Sequence, residues 1–259
     1  MQTTSSQESI SSAGMLQARL AANAAASRDF DEWCFRQLPE LPLPARVLDL
    51  GCGNGKQLVL FSRVFSPACH FTGLDRSAEL LAQARQRYQA PPHLTLIEGS
   101  FDTLEAYPAL EPGTFDLIYA SYALYYTQDL TKVLRDVYTL LKPGGVLWVI
   151  APYTGTNAEF LRIIRPLHEV EPFMDYVFDR FHQEVVAQGQ SLGYRSLKPS
   201  LLRNTIPFGS GQAFMDYLSH SLFYRPGHDA AISAAVQAIC DQEGVFKVSK
   251  NIISLQLRK

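Results

Sequence analysis

The stretch Arg46-Val-Leu-Asp-Leu-Gly-Cys-Gly-Asn-Gly-Lys56 decides how the rest of this 259-residue chain is read. Val47, Leu48 and Leu50 read as a short buried strand. Gly51, Gly53 and Gly55 then remove side chains where the backbone must turn sharply and approach a ligand. Gln57 to Arg63 resumes with the apolar spacing of a helix. Strand, glycine loop and helix start together make a cradle for a nucleotide-type cofactor. The dinucleotide fingerprint is G-x-G-x-x-G. Here the third glycine comes one residue sooner, and Asp49 stands two positions before the first. A P-loop is excluded, because no G-K-[ST] follows the required gap.

Three further pieces follow in order. His70-Phe-Thr-Gly-Leu-Asp75 reads as a second strand ending in a carboxylate, 20 residues beyond Gly55. An acid at that distance can accept hydrogen bonds from both hydroxyls of a ribose; a simple helix N-cap is the alternative. Arg76-Ser-Ala-Glu79 opens a helix with Leu80, Leu81, Ala84 and Tyr88 on one face. Leu94 to Asp102 reads as a third strand and a polar loop, with Asp102 as a possible cap for the next turn. Gly113 to Ser121 is a fourth strand, and Leu130, Val133, Leu134, Val137, Leu140 and Leu141 follow at helical spacing. Lys142-Pro-Gly-Gly145 breaks that helix before the buried strand Val146–Ile150.

The compact acidic-G-x-G-x-G loop resembles motif I of class I S-adenosylmethionine-dependent methyltransferases. "FDLIYAS…LLKPGGVLWVI" is similar to that family's strand four, helix and strand five, and the resemblance covers about residues 43–155. It implies an α/β fold: a Rossmann-like, seven-stranded, mostly parallel sheet with an antiparallel last strand, helices on both faces and a helical cap. It implies S-adenosylmethionine as cofactor, with Asp49, Gly51, Gly53 and Gly55 shaping the methionine half and Asp75 holding the ribose. Ser100 and Phe101 would flank adenine, although an ordinary strand-to-helix turn explains them equally well. Arg76 and Ala120 are the remaining cofactor contacts expected. The loop after strand four faces the transferred methyl in related enzymes, which makes Tyr122, Tyr125 and Tyr126 candidate walls of the acceptor site, with Tyr153 after strand five. Tyrosine faces hold cations and the hydroxyls orient polar groups; plain packing is the competing account and is preferred for Tyr119.

Composition narrows the acceptor. The chain is 47% hydrophobic and 19% charged, with 23 basic and 25 acidic residues and a net charge of −2. A nucleic-acid substrate normally calls for a basic surface, so a small molecule is the expected partner. Cys34, Cys52, Cys69 and Cys240 have no metal-like or disulfide spacing, so no metal is expected and a reduced, cytoplasmic setting is the simplest account. No apolar run spans a membrane, and the N-terminus lacks the pattern of a signal peptide. A homodimer is left open.

Residues 1–12 are Ser/Thr/Gln-rich and read as a disordered tail. Residues 13–259 read as one methyltransferase domain, with an N-terminal helical lid and a helical cap insertion around 155–243. Met15 to Ala26 has strong helix propensity, and Phe30 and Trp33 follow it. Packing is the preferred role for Trp33, and exposure for Arg28. In the cap, helices are expected over Asn157–Val170, Asp175–Gln190, Gln212–Leu222 and Asp229–Cys240, with a strand within Tyr194–Phe208 and a final strand over Phe246–Lys259. His168, His182 and His220 are the candidate general bases, beside Glu169 and Glu171. The pattern does not choose among them. Peptide, protein or tRNA methylation, a nicotinamide dehydrogenase, and a non-catalytic S-adenosylmethionine-binding module are the alternatives carried forward.

Overall fold

A computed structural model describes residues 25–65, 67–87, 93–196 and 199–259. The expected tail, most of the Ala-rich helix before Ala26, and Tyr88 lie outside the described residues. The chain divides into two compact units. The first, Cys34–Ala151, Asp179–Leu201 and Ile253–Lys259, carries the glycine loop. The second is built from 25–33, Pro152–Phe178 and Leu202–Ile252.

In the first unit β1 (Arg46–Leu50), β2 (His70–Asp75), β3 (Leu94–Glu98) and β4 (Phe115–Ser121) are joined by parallel ladders, and β5 (Leu141–Pro152) runs parallel to β4. The sheet order is β3-β2-β1-β4-β5-β8-β6, and β7 (Ser200–Phe208) pairs with β8 (Phe246–Arg258) off that path. β6 (Arg195–Ser196) is antiparallel to β8. The expected seven-stranded, mostly parallel sheet is this path, with β7 added. Strand order reverses between β1 and β4, which is where open sheets of this kind bind ligands.

β1 buries four residues in succession and β4 six, so both faces of these strands are covered. On one face Phe61 of α2 (Lys56–Ser62) meets Tyr119 edge-on at 5.0 Å, and Tyr119 meets Trp148 at 4.9 Å. The Trp148 indole N–H donates to Ser254 Oγ at 2.8 Å, so its one polar atom is satisfied inside the core. Each fully buried Leu or Phe here contributes roughly 1.5–3 kcal/mol. Among the helices, α1 spans Phe30–Phe35, α3 spans Ala78–Arg87 and α4 spans Leu130–Leu140. Asp129 caps α4 through Lys132 N at 2.9 Å.

The Lys142–Gly145 break is a loop inside β5. Phe115 pairs with Leu141 and Leu117 with Val146, so the intervening residues bulge out of the ladder. Lys142 Nζ then returns to both oxygens of buried Asp116, at 2.8 and 2.7 Å, and the same carboxylate accepts Arg46 N at 2.8 Å. One side chain thereby ties β1, β4 and β5.

The C-terminal half departs from the sequence expectation in three places. Asn157–Val170 is a shorter helix, α5 (Ala158–Ile164), because Pro166 has no amide proton with which to continue the helical ladder. Asp175–Gln190 is two helices, α6 (Pro172–Asp179) and α7 (Phe181–Ser191), broken at Arg180. The break falls at the boundary of the two units: Val177 and Phe178 are buried in one, Phe181 and Val185 in the other. Within the expected cap, residues 179–201 therefore belong to the sheet unit. There α7 is held to α4 by Thr131 Oγ1 donating to Gln188 Oε1 at 2.9 Å, and Tyr194 OH donates to Leu134 O at 3.0 Å. The second unit adds α8 (Gly211–Leu218) and α9 (Asp229–Glu243) around an aromatic core containing Phe160, Phe208, Phe214 and Phe246.

Asp116→Ala is expected to lower stability by about 1–3 kcal/mol, since it strands the Arg46 amide and frees Lys142. Urea unfolding checks this as a shifted midpoint at unchanged slope.

Candidate cofactor site

The glycine loop starts where β1 ends and is held by the end of β2. Gly51 N and Cys52 N both donate to Leu74 O, at 2.8 and 3.1 Å. Gly53 N donates to Asp75 Oδ2 at 2.8 Å, while Asp75 Oδ1 accepts Ser77 N at 2.9 Å. All three loop glycines have positive φ, at +74°, +52° and +72°. At Gly51 space also forbids a side chain, because a Cβ would lie 2.4 Å from Ala123 Cβ. Gly55, left-handed, starts α2 without a side-chain cap. Gly73 in β2 lets the loop settle: a Cβ there would press on Cys52 Sγ at 2.8 Å.

Asp49 lies directly behind this loop, 2% exposed, and its Oδ2 has no hydrogen-bond partner among the described residues. Burial, and then the Asp75 carboxylate, push its carboxyl up to about 8. The same burial and the same two acids raise the Cys52 thiol far out of its reactive range. An orphaned buried carboxyl oxygen calls for a cationic or hydroxyl donor. Asp75 is half-buried, and each of its oxygens keeps a lone pair beyond the amide bond it already accepts. The pair fits a ligand with an ammonium group at one end and a diol at the other, and the residues are therefore compatible with S-adenosylmethionine.

The other expected cofactor residues divide. Arg76 is exposed and directly follows Asp75, and Ala120 is fully buried in β4. Ser100 spends its side chain on a local cap, accepting Asp102 N at 3.1 Å, and Phe101 is 9% exposed. Tyr107 was not singled out from the sequence. Its hydroxyl accepts Ser100 N at 2.8 Å, and a Cβ on Gly99 would lie 2.0 Å from it. Asp102 joins this turn to the loop after β4 by accepting Thr127 Oγ1 and, at 3.1 Å, Gln128 N. No motif announces these braces.

The candidate acceptor tyrosines differ among themselves. Tyr122 has φ +53°, a costly backbone for an aromatic residue, and is 39% exposed. Tyr125 is buried, edge-on to Phe181 at 5.7 Å, and Tyr126 packs against it at 4.6 Å. Tyr119 is fully buried, which agrees with a packing role. Tyr153 lies in the second unit, where its amide donates to Asn251 O at 2.9 Å.

His168 and His220 belong to the second unit and His182 to the first. His168 stacks on His228 at 5.5 Å, with Nε2 3.1 Å from Phe223 O. His220 Nδ1 lies 2.9 Å from Asp216 O, within its own turn. Burial lowers the His182 pKa, which favours neutral imidazole. Glu171 pairs with Arg225 at 3.0 Å, and Glu169 is exposed. Trp33 is buried and Arg28 exposed. No group of metal-ligating side chains occurs among the described residues.

Asp49 makes stability depend on pH. Its folded pKa is raised, so the folded protein holds a proton that the unfolded chain releases between the ordinary carboxylate range and about 8. The stabilisation is complete below that window and is lost as pH rises through it, by at most about 1.4 kcal/mol per pH unit. Asp49→Asn is expected to flatten this slope and to become more stable than wild type towards pH 8. Chemical unfolding of both proteins from pH 5 to 8.5 checks it.

Comparisons with known proteins agree with this geometry. Residues 47–145 match the model of a methyltransferase domain family. A trans-aconitate 2-methyltransferase of Deinococcus radiodurans is 35% identical over 134 residues, which cover 52% of this chain and 48% of that protein. A 2-phytyl-1,4-naphtoquinone methyltransferase of Thermosynechococcus vestitus is 40% identical over 106 residues, covering 41% and 45%. The chain thus spans about half the length of the curated relatives it matches. An S-adenosylmethionine-dependent methyltransferase from Mesorhizobium loti shares the fold, with a TM-score of 0.54, 20% identity, and coverage of 88% of this chain and 98% of that one. Residues 47–145 are thus similar to a methyltransferase domain, and the loop and sheet order are those of the Rossmann-like fold that S-adenosylmethionine-dependent methyltransferases share.

Proposed function

We propose that this protein transfers a methyl group from S-adenosylmethionine to a small organic acceptor. The observation that carries the reading is the pair of acids behind and beside the glycine loop: Asp49 with an oxygen that lacks a donor, and Asp75 accepting the loop's own amide. When bound, S-adenosylmethionine supplies a methyl on a sulfonium that needs no further activation. The protein's task is to hold two molecules aligned and dry. Asp49 and the loop amides would hold the amino-acid end, and Asp75 the ribose hydroxyls. Tyr122, carried on strained backbone, would stand at the acceptor with Tyr126, while Tyr125 stiffens both through Phe181.

An oxygen or nitrogen acceptor must lose a proton, and His182 is the candidate base that shares the glycine loop's unit and stays neutral near pH 7. A small acceptor agrees with the net charge of −2. The two curated relatives above take small organic acceptors by name. Among the described residues no helix is long and apolar enough to cross a membrane. All four cysteines are buried thiols outside any disulfide, which suits a reducing compartment, and we place the protein in the cytoplasm.

The test is incubation with methyl-labelled S-adenosylmethionine and a metabolite extract, read by mass spectrometry. A small molecule gaining one methyl is expected; label only in protein or RNA fractions would overturn the small-acceptor reading. Asp75→Ala is expected to weaken S-adenosylmethionine binding by about tenfold to a hundredfold in calorimetry, as loss of charge-assisted hydrogen bonds requires.

A further inference from the structure

Three buried polar side-chain atoms without a hydrogen-bond partner among the described residues stand around the start of the glycine loop: Asp49 Oδ2, Gln57 Oε1 and Tyr119 OH. All three residues belong to the sheet unit. Asp49 precedes Gly51 by two positions, and Gln57 follows Gly55 by two. Tyr119 on β4 is the registered partner of Asp49 on β1, so the two side chains leave the sheet on the same face. Helix α2 covers that face, since its Phe61 lies edge-on to Tyr119 at 5.0 Å. Gln57 stands one turn before Phe61 on the same side of the helix, and helical side chains lean toward the N-terminus. Its carboxamide therefore leans toward the loop, at the carboxyl edge of β1 and β4, where open sheets bind ligands.

Packing accounts for the Tyr119 ring but not for its hydroxyl. The residue is fully buried, and Ser121 and Cys34 lie beside it without reaching hydrogen-bond geometry. Burial, then Cys34 and Asp49, hold the phenol well above its ordinary range, so it stays protonated and within electrostatic reach of Asp49. A phenylalanine would fill the same space between Phe61 and Trp148 without burying a polar atom. Gln57 poses the same question, since its carbonyl oxygen is sealed from water and accepts nothing among the described residues. Buried polar atoms in native proteins find partners, so three of them together call for one that a ligand brings.

We infer that Asp49, Gln57 and Tyr119 together hold the ammonium at the amino-acid end of S-adenosylmethionine. Gln57 and Tyr119, which no glycine-loop motif marks, thereby join the donor site of the methyltransferase reading, on which this assignment rests. The Asp49 carboxylate and the Gln57 carbonyl accept hydrogen bonds, and the Tyr119 hydroxyl accepts as well as donates. A group that satisfies three oxygens at once, one of them acidic, carries three protons and a positive charge. A primary ammonium meets that description. The other parts of the cofactor fit worse. Its carboxylate would meet Asp49 charge against charge, its sulfonium has no proton to give, and its adenine amino group and ribose hydroxyls are uncharged. Hydrogen bonds to an ionised group are the stronger kind, so the loss of one oxygen should show directly in affinity.

The test titrates the full chain with three thioethers: S-adenosylhomocysteine, its decarboxylated amine, and 5′-methylthioadenosine, which lacks the amino-acid end. Tyr119→Phe and Gln57→Leu are each expected to lose about tenfold or more in affinity for the first two and to stay within about twofold for the third. Should Gln57→Leu fail to fold, Gln57→Met takes its place. Ligand-free Tyr119→Phe should match or exceed the urea midpoint of wild type, because the hydroxyl it removes has no partner there. Unchanged affinities, equal losses for all three ligands, a loss confined to the ligand that keeps its carboxylate, or a lower urea midpoint for Tyr119→Phe would overturn the assignment. Any of these with S-adenosylhomocysteine still bound by wild type removes the ammonium site alone. Wild type that binds none of the three removes the methyltransferase reading and the ammonium site with it.

Discussion

Two consecutive groups at the end of β2 organise the whole ligand-facing edge of the sheet. The carbonyl of Leu74 takes the amide protons of Gly51 and Cys52, and the carboxylate of Asp75 takes that of Gly53. Three successive N–H groups that a tight loop leaves orphaned are thereby satisfied by the neighbouring strand. Without them the chain could not double back from β1 into α2 within five residues, and the position of α2 sets the packing of Phe61 on Tyr119 and Trp148. Gly73 allows the closeness that these bonds demand.

The acids at this edge show the other side of the same constraint. Asp75 is only half-buried and already accepts the amides of Gly53 and Ser77. Asp49, nearly sealed, meets a field from Asp75 and a low dielectric together, and it holds a proton in the range where cells operate. Two like residues on neighbouring strands thus sit in different surroundings because burial differs. That difference gives a cationic ligand something to gain: its arrival allows the buried carboxyl to ionise against a partner.

The first 150 residues were largely legible because local rules and global fold agree there. Buried strands read as apolar runs, glycines mark the turn, and Lys142-Pro-Gly-Gly145 breaks the helix at Leu141. What escaped was long-range: Asp102 reaching Thr127 and Asp116 held by Lys142. Those pairings depend on which loops end up adjacent, and no spacing encodes that. The C-terminal half was legible element by element, but its allegiance was not. A continuous amphipathic pattern over 175–190 hides the break at Arg180, because both halves are apolar on one side and only the core they face differs.

The contact of Gly51 with Ala123 has a consequence for how such a protein diversifies. With 2.4 Å between Ala123 Cβ and the place a Gly51 Cβ would occupy, the donor-side loop and the tyrosine loop interlock through the two smallest side chains available. Mutational drift at position 123 is therefore coupled to the glycine loop. Substitutions at 51 and 123 are thus epistatic: neither side chain can grow unless the other loop moves.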